Sequence, residues 1–287
     1  MKLTPLLYPA LTALAICKTI AGELPSGNAE HILHSTFKLF NSGSTATCFL
    51  IHQEDSPDNP VIISAAHVFE KMKGDTAIIV LRKKEESGRY RRHDHQIRIR
   101  EGKRTLWTRH PEHDIAVLPL GENPEGITCP SLATARLANG DRLKQSGVTI
   151  CDSVFVFCYP ERTEANSGGF PVARHATVAS FPLAPLKHYP SFMIDFNTFG
   201  GDSGGPVFVK GGRDKMPLII GIATAQYRYD ETVRMLNEER SVHHPLGLSK
   251  VIPSQFILDT LAMLADKDKD KDKDKDKDKD KDKDKEP

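Results

Sequence analysis

Short runs rich in Val, Ile and Phe recur along this 287-residue chain between clusters of Gly, Pro and Asn, and few are long enough for a helix. Ala46–His52, Val61–Ser64, Thr76–Leu81, Gln96–Arg100 and Ile115–Leu120 precede a stretch at 121–145 that holds Gly121, Pro124, Gly126, Pro130 and Gly140. Ser153–Cys158, Thr177–Phe181, Ser191–Phe196, Pro206–Val209 and Leu218–Ala225 follow it. β-Branched and aromatic runs bounded by turn formers predict an all-β barrel or sandwich, not alternating strands and helices. One stretch has a clear helical period: in Pro253–Leu264, Phe256, Ile257, Thr260, Leu261 and Leu264 share a face behind Ser254, a candidate cap. A shorter turn of helix is expected after His67. The 121–145 stretch predicts a seam between two β domains, 23–125 and 126–265.

The two ends differ in kind from this body. Lys2, the apolar Leu3–Cys17 and the small pair Ala21–Gly22 predict an export signal over 1–22. Pro5 and Pro9 leave it too short and too broken to span a bilayer, so a periplasmic or secreted location is expected, with no membrane span. Residues 266–285 alternate Asp and Lys before Glu286 and Pro287; the tail 266–287 has no apolar side chain to offset the entropy of ordering and is expected to be disordered. A net charge of +1 provides no field for nucleic acid. The basic residues crowded between Arg82 and Arg104 are expected on the solvated face of a hairpin.

Of five cysteines, Cys17 falls in the signal; Cys48, Cys129, Cys151 and Cys158 permit about three pairings, and their spacing selects none. His110/His113 and His243/His244 lack the spacing of a metal site, so neither a metal nor an organic cofactor is expected.

The chemistry concentrates in three distant segments. Ser203 lies in Gly200-Gly201-Asp202-Ser203-Gly204-Gly205-Pro206, His67 ends Ser64-Ala65-Ala66-His67, and Asp114 opens the apolar Ile115-Ala116-Val117-Leu118. A serine hydroxyl is a poor nucleophile until an imidazole takes its proton, and the imidazole needs a carboxylate to fix its tautomer. The glycines let the backbone N–H groups of Gly201 and Ser203 converge on a developing oxyanion. Gly201-Asp202-Ser203-Gly204-Gly205 also satisfies the Gly-x-Ser-x-Gly elbow of α/β-hydrolases, with Asp230 and His243 or His244 in matching order. That elbow leads into a helix, whereas Pro206-Val207-Phe208-Val209 reads as a strand.

From Gly43 to Leu261 these segments resemble the chymotrypsin/trypsin-like serine peptidases, in particular their short bacterial secreted or periplasmic members. Phe157-Cys158-Tyr159-Pro160 is similar to a Gly-Tyr-Pro turn of that group. The resemblance implies two six-stranded antiparallel β-barrels, a polypeptide substrate, and peptide hydrolysis through an acyl-enzyme. His67 is then base and acid, Asp114 orienter, Ser203 nucleophile, and Gly201 and Ser203 the oxyanion hole. Asn197 is placed near the floor of the primary specificity pocket, Thr224, Ala225 and Gln226 on the strand that pairs with substrate, and Gln226 at a narrowed entrance. Val68 and Phe199 stand where animal relatives carry cysteines, and no Arg-Ile-Val-Gly-Gly activation sequence is present. Asp202 therefore needs another environment: exposure, backbone hydrogen bonds or a basic side chain. The alternatives are a peptide-binding protein that keeps the fold without cutting, and an ester hydrolase on that fold.

Overall fold

The structure, a computed structural model, describes residues 29–210, 216–235 and 238–267. The signal segment 1–22 and all but Asp266 and Lys267 of the tail lie outside them. The first half builds β1 (Thr36–Phe40), β2 (Thr45–Gln53), β3 (Ser56–Ser64), β4 (Thr76–Lys84), β5 (Tyr90–Arg98), β6 (Arg100–Glu101), β7 (Arg104–Thr105), β8 (Thr108–Arg109), β9 (Ala116–Pro119) and β10 (Leu132–Ala133). The second builds β11 (Ser153–Cys158), β12 (Val172–Val178), β13 (Phe192–Asp195), β14 (Pro206–Val209), β15 (Leu218–Met235) and β16 (Glu238–Pro253). Short helices α1 (Glu30–His34), α2 (Ala66–Lys71) and α3 (Gly140–Gln145) interrupt them, and α4 spans 255–267.

The second half closes as a six-stranded barrel in the order β11-β12-β13-β16-β15-β14. The first does not follow the expected six: it is an eight-stranded sheet in the order β5-β4-β1-β2-β3-β9-β8, with β10 pairing β2 in parallel. The all-β expectation stands; the short pieces β8 and β10 change the count. β1 carried little sequence signal because Lys38 interrupts it, yet Lys38 is buried and its ammonium reaches Arg162 O and the Glu164 carboxylate, each at 2.8 Å.

Strands of an antiparallel sheet send alternate side chains to opposite faces, and here both faces are dry. On β2, Ala46, Cys48 and Leu50 enter the first core, while Phe49 and Ile51 enter a cluster between the two sheets. On β11, Val154, Val156 and Cys158 fill the barrel while Phe157 faces the same shared cluster. The apolar runs are therefore continuous and not alternating. The segment expected as a seam pairs with both sides: Leu132 is opposite Ile51, and Leu137 bridges to Ile219.

The face predicted for the last helix is the one α4 buries, with Ile257, Leu261 and Leu264 completing the shared cluster. Ser254 does something other than the expected cap. Its hydroxyl shares one proton between Ala138 O at 2.7 Å and Ile219 O at 2.9 Å, so it ties the helix start to the connector and to β15. The hairpin of β15 and β16 runs well past the predicted end at Ala225, pairing outward to Met235 opposite Glu238. No helix among the described residues is long and apolar enough to cross a membrane.

One member of the basic run departs from its predicted solvated face. Arg82 is buried, and its guanidinium donates to His34 O at 2.6 Å, Thr36 O at 3.0 Å and Gly169 O at 3.1 Å. The rings of Phe37 and Phe170 lie 4.4 and 4.5 Å from it. A planar fork can meet carbonyls from α1, β1 and the 169 loop together; an ammonium cannot. Arg82→Lys is expected to lower unfolding free energy by about 2 kcal/mol, because it strands buried carbonyls. Urea denaturation checks this, and a loss under about 0.5 kcal/mol contradicts it.

Candidate active site

β3 ends at Ser64 and α2 begins at Ala66, with Ala65 extended between them (φ −71°, ψ 141°). Ala65 and Ala66 are fully buried, which lets this corner press against another segment and places His67 at the helix start. Asp114, just before β9, holds that residue at two points. Its Oδ2 lies 2.6 Å from His67 Nδ1, and its Oδ1 accepts the His67 backbone N–H at 2.9 Å. Burial alone would raise the Asp114 carboxyl; the hydrogen bonds and charge of His67, with Arg109 beyond, bring it below the ordinary carboxylate range. An ionised Asp114 accepts the Nδ1 proton, leaving Nε2 with its lone pair.

Ser203 sits on the loop before β14, which belongs to the barrel, and a strand follows it where an α/β-hydrolase elbow would lead into a helix. Asp230 and His243 do meet, at 2.6 Å, but as exposed cross-strand partners on the long hairpin; His244 reaches Glu231 diagonally across the same strands at 3.0 Å. His110 Nδ1 accepts the backbone N–H groups of Glu112 and His113, and the His113 ring packs 3.7 Å from Phe256. The described cysteines, Cys48, Cys129, Cys151 and Cys158, are all unpaired thiols.

The Ser203 loop touches the first sheet through backbone. Thr47 N donates to Ser203 O at 3.0 Å, and Thr47 Oγ1 donates to Gly201 O at 2.7 Å. A Cβ at Gly204 would stand 2.1 Å from Thr47 O and 2.3 Å from Ser64 Oγ, so only glycine fits against the corner that carries His67. Gly201 has φ +100°, and a Cβ there would meet Tyr159 O at 2.2 Å. Gly200 O accepts from Glu161 N and Asp202 O from Gly205 N. Among the described residues the amides of Gly201 and Ser203 have no acceptor.

The Ser203 hydroxyl donates to Thr224 O at 3.2 Å, and no hydrogen bond joins it to His67. The imidazole thus bridges to the carboxylate only. Thr224 is buried, Ala225 is exposed and Gln226 is half-buried. Asn197 is exposed, and its carbonyl accepts from Arg174 Nη2 at 2.7 Å.

Arg174 on β12 also answers the question of Asp202. The Asp202 carboxylate, fully buried, accepts from Arg174 Nη1 and from Phe199 N, each at 2.9 Å. Burial pushes this carboxyl up, and the Phe199 N–H, the Cys158 thiol and the Arg174 charge oppose it. The guanidinium also lies 4.0 Å from the Phe196 ring. Sequence reasoning missed Thr47, Glu161 and Arg174. Arg174 sits in a strand that mixes Arg, His and Thr with smaller residues, a pattern that names no partner.

Removing one side of a buried ion pair leaves an uncompensated charge. Arg174→Met is expected to cost about 3 kcal/mol in urea unfolding, and adding Asp202→Asn to recover more than half; additive losses from the two changes contradict the pairing. Asp114 makes a different expectation. Its carboxyl titrates lower in the fold than in the unfolded chain, so its contribution is present above an ordinary value of 3.8 and lost as pH falls through the folded value. The stability gap between wild type and Asp114→Asn should shrink on acidification below that value; a gap that stays constant with pH contradicts it.

The solved structure of a thermostable serine protease AL20 from an extremophilic microorganism is similar at 13% identity, covering 78% of this chain and 93% of that one, with a TM-score of 0.44. No curated protein matches the sequence. The family model of the trypsin-like peptidase domain matches residues 46–222, more than half of the chain and from β2 into β15, and the chain belongs to that family.

Proposed function

We propose that this chain is a serine endopeptidase in which Ser203 is the nucleophile, His67 moves the proton and Asp114 orients it. The observation that carries the reading is the two-point hold of Asp114 on His67, 2.6 Å to the ring and 2.9 Å to the backbone, which fixes the imidazole in the tautomer a general base requires. The reading requires the Ser203 hydroxyl to turn from Thr224 O toward Nε2. The Ser203 proton then passes to Nε2 as Oγ bonds to the scissile carbonyl carbon, and the oxyanion settles on the N–H groups of Gly201 and Ser203. Collapse breaks the C–N bond as His67 protonates the leaving amine. Water, deprotonated by His67, releases the acyl group, and the proton returns to Ser203.

β14 stops pairing with β15 at Pro206 opposite Ile222, which leaves Thr224 to Gln226 available to an extended peptide. An uncharged Asn197 with Arg174 beside it offers no ion pair to a Lys or Arg side chain. The reading carries export with it, on the strength of the apolar segment Leu3–Cys17. A peptide-binding protein without turnover draws on one observation, the resting bond of the Ser203 hydroxyl to Thr224 O.

Intact-mass measurement after a fluorophosphonate decides between these. Wild type is expected to gain one phosphonyl adduct and Ser203→Ala none; an unlabelled, folded wild type removes the peptidase reading. Activity against a peptide library and a matched ester panel then separates endopeptidase from esterase.

A further inference from the structure

Resting on that reading, we propose that Glu161 is a positioning residue for the oxyanion hole: it grips Gly200 at both backbone groups and so sets the direction of the Gly201 N–H. Glu161 N donates to Gly200 O at 2.6 Å, and Gly200 N donates back to Glu161 Oε1 at 3.0 Å. The two bonds fix the peptide planes on either side of Gly200. In a trans peptide the C=O and N–H point in opposite directions, so anchoring Gly200 O to the 161 turn turns the Gly201 N–H away from it. That N–H is one of the two amides of this loop that have no acceptor among the described residues. On the far side of Gly201, Thr47 Oγ1 holds the next carbonyl, so the residue is tethered before and after.

The turn that presents Glu161 is itself strained. Glu161 (φ 46°, ψ 41°) and Arg162 (φ 68°) both occupy the left-handed region, where non-glycine residues are uncommon. Lys38 reaches from β1 to Arg162 O at 2.8 Å, and Arg162 N bonds to Tyr159 O, so the turn is pinned at its back as well. Such a conformation persists where surrounding bonds over-determine it, and here those bonds run to the glycine next to the proposed oxyanion donor. Glu161 is exposed, so its replacement tests the loop without opening the core.

The test uses full-length protein carrying Glu161→Ala and Glu161→Gln, with wild type shown first to take the fluorophosphonate label. Glu161→Ala removes the side-chain bond to Gly200 N and leaves the backbone bond to Gly200 O, so it loosens one of the two anchors and is expected to lower kcat about tenfold with KM within about twofold, short of the loss that follows removal of a whole oxyanion donor. A peptide boronic acid, which mimics the tetrahedral state, should bind about tenfold more weakly, while a product peptide binds as before. Glu161→Gln keeps an acceptor for Gly200 N and should stay within about threefold of wild type in every readout. Equal activity in Glu161→Ala and wild type overturns the proposal, and so does a rise in KM alone, which would make Glu161 a substrate contact. Equal losses in both variants alongside a lowered unfolding midpoint overturn it too, since they mark a role in stability only. An unlabelled wild type removes the peptidase reading and this inference with it; a labelled wild type with an indifferent Glu161→Ala removes the inference alone.

Discussion

Thr47 is where the two halves of this protein are set in register. Its N–H, its hydroxyl and its carbonyl are all engaged: the first two hold the Ser203 loop at Ser203 O and Gly201 O, the hydroxyl also accepts from Tyr159 N, and the carbonyl accepts from Ser64 Oγ. Hydrophobic contact between the sheets supplies most of the adhesion, through Phe49, Ile51, Phe157, Phe208 and Ile219, but such contact is non-directional and tolerates sliding. Hydrogen bonds to a buried threonine do not. A shift of one residue between β2 and the Ser203 loop would leave these groups unpaired in a dry interface, at about 1–3 kcal/mol each. The close approach of Gly204 to Thr47 O is the steric half of the same constraint.

Two guanidiniums, Arg82 buried and Arg174 half-buried, hold the chain in different ways. Arg174 faces a carboxylate, so its charge is balanced where Asp202 would otherwise be alone beside the Ser203 loop. Arg82 is met by carbonyls and two ring faces, which satisfy its donors without a full counter-charge. The first arrangement fixes a loop that has to present its amides in one direction. The second gathers α1, β1 and the 169 loop around β4, where the need is density and not orientation.

The legible parts of this sequence were those where a local rule and the global fold agree. Ser153–Cys158 reads as a strand and is one, because β-branched and aromatic residues there serve two cores at once. Ser64-Ala65-Ala66-His67 was informative because two small residues before an imidazole signal close approach, which Thr47 and Gly204 fulfil. What stayed hidden depends on partners far along the chain. Lys38 looks like a strand breaker until Glu164 and Arg162 O stand opposite it. The outer half of the β15–β16 hairpin looks like loop because its stabilising pairs, such as Asp230 with His243, lie across the strands and not along one of them. Arg174 and Glu161 carry no local mark at all; each is defined by the loop it meets.

The two amides without acceptors explain why so much of the structure converges on so few atoms. An unpaired backbone N–H costs free energy if dry and is free to turn toward any nearby carbonyl if wet. On the proposed reading the loop has to keep Gly201 N and Ser203 N from finding partners of their own. It does so by assigning the carbonyls of the same peptides elsewhere: Gly200 O to Glu161 N and Asp202 O to Gly205 N. Glycine at 201 is needed for its positive φ and for its contact with Tyr159 O, so the conformation that bares the amide is open to no other residue. The intrinsic freedom of a glycine-rich loop works against fixed donors, and the outside clamps from β2, β12 and the 161 turn are what remove that freedom. Preorganisation here is a property of the neighbours of the loop and not of the loop itself.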